Sequence, residues 1–301
     1  MNKNNSKKIV SIVSTLIFFV LFIFYFLSDP TFFEIIKTTN LSFLIVVLFF
    51  CFLRMIILSY LNMFLYRFIN IELEFKECFR IVFINRAGNQ LLPLKFGSGY
   101  KLHYFVNKLK TPISTYMSIN TGQVLISLFI NTLILFFVVN ILSNTYSQEL
   151  LNLVNTFLIL LILIFLSTSW ISLKITNVNN KLLKQIQDGF KSLFVLNKNQ
   201  IFFSTSLILL TLLNIFITFF IADLYVFDNS FSEAAKYYTV GQFSGIINLT
   251  PGNIGVSEVF LISLQSLFVY KTSEILVISI IGRVTDFLLL LVLNFFVKKT
   301  N

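Results

Sequence analysis

Apolar runs of about twenty residues recur along this chain, and they dictate what it can become. A run of that length crosses the hydrocarbon of a bilayer as a helix. In lipid every backbone N–H and C=O needs an internal partner, so helices are what such runs form. The runs lie near 9–27, 41–65, 113–141, 150–173, 201–222 and 275–297. With 56% hydrophobic and 12% charged residues and a mean hydropathy of +0.86, the composition falls outside the range of soluble domains. No soluble stretch is long enough to bury a core of its own. Residues 1–301 are therefore read as a single integral membrane domain, with the run after Lys3, Lys7 and Lys8 retained as its first helix.

Two further segments, 79–107 and 237–269, are apolar but interrupted. The second contains Leu249-Thr250-Pro251-Gly252-Asn253-Ile254-Gly255, and the first contains Leu92-Pro93-Leu94-Lys95-Phe96-Gly97-Ser98-Gly99. Proline removes a backbone donor and clashes with the preceding turn, and glycine permits the angles that end helices. A continuous span is disfavoured in both. Half-helices of ten to fourteen residues reach roughly 15–21 Å, so each segment is long enough to enter the bilayer and return. Pro93, Gly97, Pro251, Gly252 and Gly255 mark the breaks.

The distribution of basic residues tests that arrangement, because cytoplasmic loops carry the excess of Lys and Arg. With both segments re-entrant, fourteen basic residues fall inside: Lys3, Lys7, Lys8, Arg67, Lys76, Lys108, Lys110, Lys174, Lys181, Lys184, Lys191, Lys198, Lys298 and Lys299. Three fall outside: Lys37, Lys236 and Lys271. A crossing hairpin would strand the five-lysine 174–200 loop or the C-terminal pair on the wrong side. The expected fold is an all-α polytopic membrane protein with six spanning helices and two oppositely inserted re-entrant helical hairpins. Units 41–141 and 201–297 repeat the order helix, hairpin, helix with opposite entry, an inverted-repeat plan. In the 174–200 loop, Leu182, Leu183, Ile186, Phe190 and Leu193 lie at helical spacing. That suits a surface-lying amphipathic helix or a solvated connector with an apolar seam.

The net charge of +10 does not point to nucleic acid, since the basic residues sit in short loops and no basic domain carries them. Cys51, in an apolar run, and Cys78, in an expected cytoplasmic loop, make no disulfide framework, and the single His103 makes no metal site. No nucleotide loop, zinc motif, nucleophile elbow or paired catalytic carboxylate is present, so neither cofactor nor enzymatic activity is expected.

What remains is intramembrane charge, which is costly and usually functional. In the first hairpin Ser98 is a candidate N-cap for the second half-helix, with Lys95 and Lys101 beside it and Arg86 and Asn89 before the break. A helix N-terminus flanked by cations suits an anion such as a phosphodiester. Alternatively, Lys101 snorkels outward and Lys95 faces a water crevice. In the second hairpin Asn253 or Ser257 would cap the half-helix that carries Glu258. Glu258 is read as a counter-ion or proton acceptor that alternates with substrate, or as the structural partner of a buried base, with Arg283 the obvious candidate. Arg283 and Asp286 suit a structural ion network. Arg54, with no acid nearby in sequence, requires a tertiary partner.

At these hairpins the chain resembles the flippase-like family that includes the transmembrane region of lysylphosphatidylglycerol synthases. The matching residues are Asn89-x-Leu91-Leu92-Pro93 followed by Gly97 and Lys101, then Pro251-Gly252-x-Ile254-Gly255-x-x-Glu258, then Arg283. Asn253 stands where members often carry a second glycine, and Lys101 where they often carry arginine, which exchanges a bidentate fork for a point charge. The resemblance implies a stand-alone member without the synthase domain, in a prokaryotic cytoplasmic membrane with both termini inside, that handles lipid headgroups. The expected function is a flippase-like transporter of a phospholipid or lipid-linked glycan, whose headgroup docks near Lys95, Lys101 and Arg86 while Glu258 competes for those cations in the empty site. The alternative is a non-transporting partner that presents a lipid intermediate to a glycosyltransferase or lipid-modifying enzyme.

Overall fold

A computed structural model describes residues 41–91, 96–142, 148–174, 198–224, 229–245 and 253–298, together with 184, 185, 187, 188, 191 and 193. All regular structure among them is helical. In chain order the α-helices are α1 (Leu41–Arg67), α2 (Phe75–Leu91), α3 (Phe96–His103), α4 (Ile113–Phe137), α5 (Gln148–Lys174), α6 (Lys198–Asp223), α7 (Phe231–Ser244), α8 (Val256–Ser263) and α9 (Thr272–Lys298). Short π-helical turns extend α3 and α4, at Tyr104–Lys108 and Val138–Leu142.

Four stretches are long and apolar enough to cross a membrane: Ser42–Arg67, Ile113–Ile141, Lys198–Asp223 and Thr272–Asn294. They match four of the six expected spans. The fifth, 150–173, forms α5, whose apolar stretch Leu151–Ser167 is shorter. The sixth, 9–27, lies outside the described residues, as do Pro93, Lys95, Pro251, Gly252 and most of the 174–200 loop.

α1 and α6 form the central seam. Phe50 stacks on Phe220 with ring centroids 5.5 Å apart, and Phe64 on Phe202 at 5.2 Å, the offset geometry that aromatic quadrupoles favour. Around that seam one apolar cluster gathers Val47, Cys51 and Met55 of α1 with Ile217 and Ile221 of α6 and Ile278 and Leu289 of α9. A second gathers Leu61, Leu65 and Tyr66 of α1 with Phe105, Tyr116, Phe203 and Leu207. Outward-facing apolar side chains such as Phe49, Leu153, Phe157, Trp170 and Leu209 are exposed, as a lipid-facing surface requires. These apolar helices mark the chain as an integral membrane protein.

Between the long helices the chain folds back twice. α2 and α3 pack together, and the start of α2 meets the end of the turn beyond α3, where Lys108 Nζ lies 3.1 Å from Glu77 Oε1. α7 and α8 do the same. Glu233, in the first turn of α7, accepts the Val269 N–H at 3.0 Å, and the Tyr270 hydroxyl donates to Asn229 Oδ1 at 2.7 Å. Two sequence expectations change here. Cys78 is not in a loop but fully buried in the first turn of α2. Lys236, counted above among the outside loop charges, lies in a helix, and Glu233 is its partner. Both are buried on α7 as an i,i+3 ion pair, with Ser230 as the helix N-cap accepting the Glu233 N–H at 3.2 Å. An ion pair satisfied in this way can enter an apolar interior, which charge counting along the sequence does not foresee.

Candidate functional site

The far ends of the two folded-back pairs face one cavity. In the first, glycines let the arms touch backbone to backbone. A Cβ on Gly97 would collide with the carbonyl oxygen of Asn85, and one on Gly88 would come within 2.7 Å of the Gly97 Cα. Gly97 thus serves close approach as well as the break. Asn89 then staples the arms. Its Oδ1 accepts the Ser98 backbone N–H at 3.1 Å and its Nδ2 donates to the Ser98 hydroxyl at 3.2 Å. The Ser98 hydroxyl in turn donates to Asn85 Oδ1 at 3.3 Å. Ser98, expected as an N-cap, is itself in the first turn of α3, and the cap arrives from Asn89 on the neighbouring arm.

In the second pair the N-cap of α8 is Gly255, in place of the expected Asn253 or Ser257. Gly255 has φ 83°, a conformation that only glycine adopts cheaply. Glu258 reaches back from the third helical position to accept the Gly255 N–H at 2.6 Å. The same carboxylate pairs with Arg283 of α9 at 2.5 Å and accepts the Ser279 hydroxyl. Arg283 also donates to the Ser257 hydroxyl at 2.6 Å. Asn253, with φ 58°, is 9% exposed and donates to the Ser244 hydroxyl at 3.2 Å, while its Oδ1 has no partner among the described residues.

Asp286, three residues beyond Arg283 on the same face of α9, has other partners. Its Oδ1 pairs with Arg54 of α1, and its Oδ2 lies 2.8 Å from Arg86 and 3.5 Å from the Gln90 amide of α2. Arg54 also donates to Asn214 Oδ1 of α6 at 3.2 Å. The tertiary partners that Arg54 required are thus 232 and 160 residues away. Arg283 and Asp286, grouped as one ion network in the sequence, belong to two: Arg283 with Glu258, and Asp286 with Arg54 and Arg86.

These groups surround a cavity of about 410 Å³. Arg86, Asn89 and Gln90 line it from α2, Gly241 and Gln242 from the end of α7, and Asn253 and Ser257 from the approach to α8 and its first turn. Arg54, Asn214, Ser279, Arg283 and Asp286 line it from the middle of three long helices. The cavity therefore stands about half-way along the spans. Among its described lining residues are three guanidinium groups and one carboxylate. Glu258 is not among them and acts on the site through Arg283.

Lys101 is elsewhere. It is 8% exposed, and its ammonium donates to Asn62 Oδ1 at 2.8 Å and Asn120 Oδ1 at 3.3 Å, with the Tyr66 ring centroid 5.3 Å away. It neither lines the cavity nor snorkels to the surface. The sequence reading did not single out Gln90, Asn214 or Gln242. The available signal was a lone amide within an apolar helix, as in Leu212-Leu213-Asn214-Ile215-Phe216.

The family model described as lysylphosphatidylglycerol synthase TM region matches residues 9–293. No curated protein and no solved structure is matched by the chain.

Proposed function

The chain belongs to the lysylphosphatidylglycerol synthase TM region family, and from that premise we propose that it is a lipid flippase-like membrane transporter. It would pass a phospholipid or lipid-linked glycan headgroup through the cavity between the two helix pairs. One observation carries this reading: the far ends of both pairs converge on a single cavity, about half-way along the spans, where Arg54, Arg86 and Arg283 are gathered. Guanidinium forks match the geometry of phosphate oxygens. Cations placed at mid-depth are costly unless they serve a polar ligand or pathway. The pairs act as oppositely inserted re-entrant hairpins, and units 41–141 and 201–297 act as inverted repeats. Rocking one unit against the other would then expose the cavity to alternate faces while acyl tails stay in lipid. Lys101, away from the cavity, holds α3 to α1 and α4 through Asn62 and Asn120.

The test is lipid translocation in proteoliposomes with fluorescent lipids of anionic and zwitterionic headgroup. Wild-type vesicles are expected to move an anionic lipid faster than protein-free vesicles. Arg86→Gln is expected to lower that rate roughly tenfold or more, the worth of one charge-assisted hydrogen bond. Wild-type rates equal to protein-free vesicles for every headgroup would overturn the transporter reading. Specific lipid retention without translocation would favour the alternative, in which the protein presents a bound lipid to a membrane enzyme.

A further inference from the structure

Asp286 is the only acid among the described residues that line the cavity, and its two oxygens are divided. Oδ1 faces Arg54 on α1, and Oδ2 faces Arg86 and Gln90 on α2. A carboxylate held between two guanidinium groups has the charge and spacing of two oxygens of a phosphodiester. The two arginines come from different helices, and among the described residues Asp286 of α9 is what joins their charged ends. The lining is also incompletely satisfied. Among the described residues Asn253 Oδ1, Gln90 Oε1 and Arg54 Nε are buried without a partner, and the Asn253 side chain belongs to a residue more than nine-tenths buried. Such atoms are expensive to bury bare, so they mark a place where a polar ligand completes the shell. Glu258, by contrast, is engaged by Gly255, Ser279 and Arg283, and its removal would uncap α8.

We propose that Asp286 is an internal stand-in for the ligand's phosphate: in the empty cavity it neutralises Arg54 and Arg86, and an arriving anionic phosphodiester takes those two guanidinium groups from it. The exchange rests on the reading of the cavity as a headgroup site and gives that site its release mechanism. Because Asp286 competes, the anion binds only to the fraction of molecules in which the arginines are free. Apparent affinity falls by that fraction. Once the headgroup reaches the other face, the carboxylate's return expels it. The stand-in role expected of Glu258 thus passes to Asp286, which has the two partners that the role requires.

The experiment measures binding by calorimetry and thermal unfolding in maltoside micelles, which carry no anion of their own. The probes are dihexanoyl phosphatidylglycerol, dihexanoyl phosphatidylcholine and inorganic phosphate. Asp286→Asn is expected to bind the anionic lipid about tenfold tighter than wild type, as removal of a competitor that occupies the arginines nine-tenths of the time would give. Its melting temperature without probe is expected to fall and to be regained when the probe is added. Any anion that binds the folded state raises its melting temperature, so the discriminating result is a larger rise in Asp286→Asn than in wild type at the same probe concentration. If Asp286→Asn does not fold, Arg54→Gln/Asp286→Asn removes one charge of each sign and is compared with Arg54→Gln alone. The double variant is expected to bind tighter by a similar factor.

Binding no tighter after loss of the carboxylate, with Arg86→Gln still weakening it, overturns the stand-in role and leaves the headgroup site in place. No anion binding by wild type or any variant overturns both. Tightening seen with inorganic phosphate as strongly as with lipid keeps the exchange and assigns it to a free oxyanion. Tightening confined to phosphatidylglycerol keeps it and assigns it to an anionic headgroup.

Discussion

Glu258 shows how much a single residue can carry. It caps α8, neutralises Arg283 and accepts from Ser279, all from a side chain that is 10% exposed. Removing one partner from a buried pair leaves the other charge uncompensated, which costs about 3–5 kcal/mol. Glu258→Gln is therefore expected to lower the melting temperature of purified protein markedly, and any loss of transport would follow from that. An unchanged melting curve would mean that the Arg283 pair is dispensable for the fold. Asn89 and Ser98 carry a comparable lesson. Both are residues that could touch a ligand, and both are occupied in closing the α2–α3 pair. At the residue scale the groups with free capacity toward the cavity, among the described residues, include Asn253 and Gln90, each with an orphaned amide oxygen, and Arg54 through its Nε.

At the scale of elements, the α2–α3 pair depends on glycine at a close crossing. Gly97→Ala drives a methyl group into the Asn85 carbonyl, whereas a Cβ on Gly99 meets nothing within 4 Å. The two substitutions make a controlled comparison two residues apart on one short helix. Gly97→Ala is expected to abolish folded protein or to lower its stability by about 3 kcal/mol, the upper scale of overpacking, because the backbone it meets cannot yield. Gly99→Ala is expected to be neutral or slightly stabilising through helix propensity. Equal melting temperatures for the two would show that the arms do not meet at Gly97. The second pair closes by other means: the Glu233 contact with the Val269 N–H and the Tyr270–Asn229 hydrogen bond, both at its open end.

At the scale of the whole molecule every described element is helical, Arg54, Arg86, Arg283 and Asp286 gather about half-way along the spans, and the topology is open to direct test. If α2 and α3 enter and return, the chain on either side of them lies on one membrane face. Single cysteines replacing Arg67 and Lys108 are then expected to be labelled by an impermeant reagent from the same side of inverted or right-side-out vesicles, and one replacing Glu149 from the opposite side. The native Cys51 and Cys78 are buried and should stay silent. Labelling of positions 67 and 108 from opposite faces would make α2–α3 a crossing segment and remove the opposed hairpins from the transport reading.

Hydrophobic run length and the proline and glycine interruptions were enough to place α1, α4, α5, α6 and α9 and to mark where the chain turns back. Those features act locally: a bilayer imposes helix on any apolar run, and backbone chemistry decides where a helix stops. The family resemblance was legible for the same reason, since its motifs sit at the turns. Run length and local breaks cannot determine which charges meet. Asp286 lies 200 residues from Arg86 and 232 from Arg54, and Lys101, close to the break in sequence, turns away to Asn62 and Asn120. Burial of Glu233 and Lys236 depends likewise on the Val269 segment folding over them. Pairing of buried charge is a property of packed helices, set by the side of each helix that faces its neighbour, and only the tertiary structure decides it.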